Sequence, residues 1–481
     1  MKNSQLCGLL KLLNTRERRR FRAYVHSPFF NKHQKTRELG DYLLPFAPDF
    51  DQPSLTKKAV FAHLFPDEPY KEAVLNNLIS DLLQLLYGYL AYKGYERHPQ
   101  QERHYLLEEL LIRDLPSHFE RASRRFRQIQ EKTPYRNFQY HHYQYLLHQQ
   151  LDQYLLSQSK RRYDENLQLE SDELDLYYMS NKLRIACDMT SRNRVIKAGY
   201  DCQFIQPVIA YYEANQERLS QYPALVVYYT ALQLIQAPDI EAHYLQLKSV
   251  LNEHGDCLPN AELWTLYNYA LNYCILRINS GMSTYYQEVL ELYKLLLDRG
   301  LLFQNGYLTQ WTYKNITTAG LRLKEYDWTR QFIEEFKSLL LPEEQENAYS
   351  YNLATFYYAQ KAYSAALQQL HDVEFTDTSY HLGAKIIQLK SYYELEETEA
   401  FFSLIEAFKK YILRNRELAD YRKKANAHFL DLAKRIYRLK INRKTLSTAA
   451  YQQRQRSIRE RMSELQPIAN KNWLEEVFAH L

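Results

Sequence analysis

Hydrophobic positions recur along nearly the whole chain at a spacing close to 3.6 residues, the period of an amphipathic helix. Residues 71–92 show it most clearly. Leu75, Leu78, Ile79, Leu82, Leu85, Leu86 and Tyr89 fall on one wide stripe, which predicts a helix packed against a partner. Left in water, such a stripe would expose apolar surface costing on the order of several kcal/mol. Breaks fall at Ser27-Pro28, Pro66 to Pro69, Leu115-Pro116, Thr133-Pro134, Gly199, Pro238, Gly255, Gly281, Gly300, Gly306 and Pro342. The segments between them run roughly 12 to 25 residues, as helical hairpins require. No alternation of apolar and polar residues is long enough to predict a sheet, so the expected fold class is all-α.

The C-terminal half also repeats itself. Tyr326, Thr329, Ile333 and Phe336 form one set of positions. Tyr363, Ala366, Leu370 and Val373 follow with the same internal offsets, and then Thr398, Phe401, Ile405 and Phe408. Ahead of the middle set, Leu353, Ala354 and Tyr357 stand where a first helix would pack on a second. On these residues the segment 260–415 resembles a tetratricopeptide repeat. Lys324, Lys361 and Glu396 stand where that family's turn glycine is usual, and Thr329 and Phe401 replace its small residue. Residues 263–297 read as a further divergent pair with an enlarged turn at Asn279 to Gly281.

The resemblance implies a right-handed superhelix of antiparallel helix pairs with a concave groove for a protein or peptide. Its first-helix groove positions fall on Lys314, Thr318 and Arg322, then Tyr351, Thr355 and Tyr358, then Lys390 and Tyr393. Cations beside tyrosines there would suit an acidic or C-terminal carboxylate peptide. The chain as a whole also resembles bacterial helical-repeat proteins of its size, a likeness that brings no activity with it. The expected organisation is an N-terminal helical unit over 1–97, further hairpins over 98–259, the repeat-like region 260–415 and basic capping helices over 416–481.

Composition narrows the chemistry. The 481 residues include 11 glycines and 44 tyrosines; average usage would give about 34 glycines. Phosphate-cradling loops and tight strand turns depend on glycine. No Gly-x-x-x-x-Gly-Lys, Gly-x-Gly-x-x-Gly, Gly-x-Ser-x-Gly or His-Glu-x-x-His sequence occurs. The expectation is therefore a non-enzymatic scaffold with no cofactor and no metal. His141 and His148 lie two helical turns apart, about 10 Å, too far for one zinc. With His142 they read as half-buried helix residues. Asp49 and Asp51 read as a solvated turn, and Asp172, Glu173 and Asp175 as the first turn of a helix capped by Ser171.

The five cysteines are scattered, with no Cys-x-x-Cys pair, which predicts reduced thiols. No apolar stretch approaches the roughly 20 residues of a bilayer span, and no secretory leader pattern opens the chain. A cytoplasmic protein with no membrane partner is expected.

Net charge is only +5, but its distribution is uneven. Between Lys409 and Met462 there are 17 Lys and Arg against 4 Asp and Glu. Arg422, Lys423, Lys424, Lys434, Arg435, Arg438 and Lys440 form a basic face at helical spacing behind Phe429, Leu432, Ile436 and Leu439. Such a face can neutralise phosphates, which makes nucleic-acid association the alternative to peptide binding. A second cluster, Arg16, Arg18, Arg19, Arg20 and Arg22, surrounds Phe21 and Val25 on a helix capped by Asn14 or Thr15.

Overall fold

The computed structural model describes residues 4–52, 55–158, 163–196, 198–371, 373, 377–416 and 418–481. Among them it forms twenty-four α-helices and one short β-hairpin, so the chain is all-α. It divides into two compact units, Met1–Tyr229 with Glu253–Leu258, and Thr230–Asn252 with Pro259–Leu481.

In the first unit, α1 (Gln5–Leu12), α2 (Thr15–His26), α3 (Gln34–Leu43), α4 (Lys57–Leu64) and α5 (Glu72–Glu96) share one core built on Leu10, Phe21, Leu39, Phe61 and Leu82. Asn14 starts α2 through a reciprocal capping box with Glu17. On α5 the stripe is buried along Leu75, Leu78, Leu82, Leu86 and Tyr89, while Ile79 and Leu85 sit half-buried at its edge. Then come α6 (Pro99–Ile112), α7 (Pro116–Lys132), α8 (Phe138–Ser157), α9 (Asn166–Ile196), α10 (Ile205–Ala214) and α11 (Gln216–Leu219). Pro99 and Pro116 take the first helical position, where a missing N–H costs nothing. Helix α9 begins ahead of Ser171, because Asp164 accepts the Asn166 backbone N–H at 2.7 Å and turns the chain there. Asp172, Glu173 and Asp175 therefore lie inside the helix rather than in its first turn, and Glu173 reaches His141 Nδ1 at 2.7 Å.

Helices α12 (Pro223–Gln236) and α13 (Glu241–His254) each carry residues of both units. The second unit continues with α14 (Asn260–Asn279) and α15 (Tyr285–Asp298), then β1 (Phe303–Gln304) and β2 (Tyr307–Leu308), which pair antiparallel around Asn305 and Gly306. Three hairpins follow: α16 (Gln310–Arg322) with α17 (Tyr326–Glu335), α18 (Pro342–Ala359) with α19 (Tyr363–Gln369), and α20 (Thr378–Glu394) with α21 (Thr398–Arg414). Helices α22 (Asp420–Ile441), α23 (Thr448–Glu464) and α24 (Lys471–Ala479) complete the unit.

The three hairpins turn in the same way. Lys324, Lys361 and Glu396 all adopt left-handed backbone, with φ of 61°, 63° and 60°. The next residue's N–H then bonds back into the helix just left: Glu325 to Gly320 O, Ala362 to Tyr357 O and Glu397 to Tyr392 O, at 3.0, 2.9 and 3.0 Å. Each of these positions is exposed, so a long polar side chain takes the place of glycine at a backbone cost of about 1 kcal/mol. Behind the turns Thr329, Ile333, Ala366, Leu370, Phe401 and Ile405 are buried. Thr329 fits because the facing residue on α16 is Gly320, where a Cβ would overlap the threonine hydroxyl. Among the described residues no helix is long and apolar enough to cross a membrane.

Candidate functional site

Helices α16, α18 and α20 pack in succession, which brings the predicted groove positions onto neighbouring elements. Lys314 is the centre of the first cluster. Its Nζ lies 4.8 Å from the Tyr351 ring, 5.0 Å from Tyr380 and 6.0 Å from Trp311. Burial in this cage holds the ammonium below the ordinary lysine value, and Arg422 pushes the same way against the opposing effect of Asp377. The walls are fixed: Tyr380 donates its hydroxyl to Gln310 O at 2.7 Å, and Tyr351 occupies space that any side chain at Gly383 would fill.

The remaining positions are placed unevenly. Tyr351 and Tyr393 are only 8% and 4% exposed, so their rings form wall and core rather than contact surface. Thr318 and Thr355 donate to their own helices, at Lys314 O and Tyr351 O, each at 2.8 Å. Arg322 is exposed, with its guanidinium 6.0 Å from the Tyr286 ring.

The far end of this face is covered by α24. Lys390 Nζ lies 5.4 Å from the Trp473 ring, and Trp473 stands edge-on to Tyr393 at 5.3 Å. Burial pushes Lys390 down to about 8, with Arg322 adding to the push and Glu476 opposing it. Among the described residues the Trp473 indole N–H has no acceptor in hydrogen-bonding geometry, although the Tyr358 hydroxyl is its polar neighbour. No groove position signals this cover. Its sequence trace is the apolar set Trp473, Leu474 and Val477 on α24, all buried.

The basic face on α22 splits in two. Lys434 pairs with Glu406 at 2.6 Å, Arg435 with Asp431 at 3.0 Å and Lys440 with Glu396 at 3.0 Å, while Arg438 lies over Phe402. That half is engaged within the fold, behind buried Phe429, Leu432, Ile436 and Leu439. Toward the other end, Lys423, which pairs with Asp420 at 3.9 Å, and Lys424 border an apolar-walled cleft of about 410 Å³ with Lys409, Ile412 and Leu413. Arg422 is exposed.

One polar cluster has the composition of a reactive site. Tyr244 donates to Glu288 Oε2 at 2.6 Å, Lys248 donates to the same oxygen at 2.7 Å, and the buried Cys274 thiol adjoins them. Burial pushes that thiol up to about 12, so it is protonated and unreactive at neutral pH. Burial also works against the Glu288 carboxylate, but hydrogen bonds from Lys248 and Tyr244 hold it below its ordinary value. The cluster is a satisfied ion network. Among the described residues no group of three His, Cys, Asp or Glu side chains is placed to hold a metal, and His148 instead meets Asn166 Oδ1 at 3.0 Å.

Fold and site together define an all-α protein of helical hairpins with a ring-caged lysine on α16 and a second buried lysine on α20. No protein-family model, curated protein or solved structure matches the chain.

Proposed function

We propose that the protein is a non-enzymatic scaffold of tetratricopeptide-like hairpins that receives acidic peptide segments on the face of α16, α18 and α20. The observation that carries this reading is the company its cations keep. Lys314 and Lys390 are depressed first by burial, and then by Arg422 and Arg322 respectively. Among the described residues none of these four side chains forms a salt bridge. Cations gathered with no ion pair of their own, beside only the distant carboxylates of Asp377 and Glu476, favour an incoming carboxylate, which restores charge-assisted hydrogen bonds. The chemistry of α24 supports the same partner, since it lays Trp473 and the Glu476 carboxylate beside Lys390. The recurrent left-handed turns at Lys324, Lys361 and Glu396 support the repeat reading. All five cysteines are free, which supports a reducing compartment such as the cytoplasm.

Fluorescence anisotropy with a labelled glutamate decapeptide tests the assignment. Arg322→Glu, at an exposed position, is expected to weaken binding roughly tenfold or more. Unchanged affinity would remove the reading. Tighter binding to duplex DNA, lost in Lys423→Glu/Lys424→Glu and kept in Arg322→Glu, would move the function to the basic helix.

A further inference from the structure

The first unit carries a continuous run of aromatic rings on its surface. Tyr24 stacks on Phe30 at 4.0 Å between ring centroids, and Phe29 meets Phe30 edge-on at 4.9 Å. From Phe30 the run continues to Tyr92 at 6.2 Å, Tyr95 at 6.3 Å and Tyr105 at 6.4 Å. It therefore links α2, the turn after it, α5 and α6. Tyr24 packs against the core, and the rings beyond it are exposed, Phe29 at 85% and Tyr105 at 49%. A contiguous exposed apolar surface of this kind marks an interaction site rather than ordinary scatter.

The display is built. The turn that carries Phe29 and Phe30 is pinned by the buried Asn31, whose Nδ2 donates to Val25 O at 2.9 Å and whose Oδ1 accepts from the His33 N–H at 2.9 Å. Ser27 O also accepts from the N–H groups of Phe30 and Asn31. Tyr24 meets Tyr89 of α5 edge-on, and Gly88 leaves room for its hydroxyl. A partner thus meets rings already in position and spends little ordering them.

We propose that this ladder docks a proline-rich, extended segment of another protein. Charge decides between candidates. The ions bordering the rings cancel in pairs: Arg20 with Glu96 at 2.6 Å, Arg103 with Glu102 at 3.3 Å, and Lys93 with Glu17. A polyphosphate or a carboxylate-rich chain gains little from such a border. Polyproline II suits it, since flat pyrrolidine faces lie on aromatic rings and the backbone carbonyls are open. The hydroxyls of Tyr92, Tyr95 and Tyr105 have no acceptor among the described residues and can donate to those carbonyls.

A labelled decaproline peptide titrated with the full chain provides the test, with a thymidine dodecanucleotide as comparator. Decaproline should bind, and Phe29→Ala should weaken it roughly tenfold, since anchors of this type dominate docking surfaces. Phe29 buries little, so its loss leaves the fold intact. Tyr105→Phe, which removes only a hydroxyl, should also weaken binding. Failure of decaproline to bind, equal affinity in Phe29→Ala, or binding of the oligonucleotide in its place would each overturn the assignment.

Discussion

Lys390 Nζ donates to Asn470 Oδ1 at 2.8 Å, tying α20 to the residue that opens α24 across 80 positions of chain. The bond steadies an ammonium that burial and Arg322 have already pushed down to about 8. It also holds α24 against the predicted groove position Lys390 on α20.

That lysine gives the fold a pH dependence of definite sign. Between about 8 and the ordinary value of 10.5 the folded chain has released the proton while the unfolded chain retains it. The unfolded state then binds more protons, so the contribution of Lys390 to stability rises with pH through that window. Urea unfolding of wild type and Lys390→Met at about pH 7.5 and about pH 9.5 checks this. The variant should compare more favourably with wild type at the lower pH; equal differences at both would remove the assignment.

Gly320 and Thr329 pack α16 on α17 with no room for a further carbon. Gly320→Ala is expected to destabilise by about 1–3 kcal/mol through overpacking. In Gly320→Ala/Thr329→Ala the cost should fall below the sum of the single changes, because the second change removes the colliding group. A denaturant double-mutant cycle reads this directly, and strict additivity would contradict the contact.

Lys361 holds a left-handed φ of 63° at an exposed turn. Lys361→Gly relieves that backbone cost and gives part of it back as unfolded-state entropy, leaving a net gain of a few tenths to about 1 kcal/mol. Lys361→Val should lose stability at the same site. Thermal unfolding of both variants tests the pair, and a stabilising valine would be the wrong sign.

Trp473→Ala removes a buried ring from between Tyr393 and Phe429, at an expected cost of about 3–5 kcal/mol. Loosening α24 also lets water reach Lys390, so its pKa should climb toward the ordinary lysine value. An NMR titration of the Lys390 side chain follows that shift separately from stability. A pKa that stays near 8 would mean that α24 is not what buries the lysine.

Much of the architecture was legible one helix at a time. The α5 stripe, the proline starts of α7 and α18, and the second-helix patterns beginning at Tyr326, Tyr363 and Thr398 all fall on helices, although α19 ends at Gln369, before Leu370 and Val373. The α9 start was not, because the Asp164 side chain turns the chain before the expected Ser171 cap. The groove positions were legible as addresses but not as surfaces. Nothing about Tyr351 or Tyr393 in sequence says that each ring points inward, or that Gly383 makes the space Tyr351 fills.

The sequence alone determined that this chain is helical, where its hairpins turn and which helix faces are apolar. Those features depend on side-chain period, proline and backbone bonding over a few consecutive residues. The tertiary structure alone decided that aromatic rings cage Lys314, that α24 covers Lys390, and that Lys434 and Lys440 on α22 are neutralised by Glu406 and Glu396. Such contacts join residues as far apart as Gln310 and Tyr380 or Lys390 and Asn470. Burial and charge are set there by what packs opposite, which no local pattern encodes.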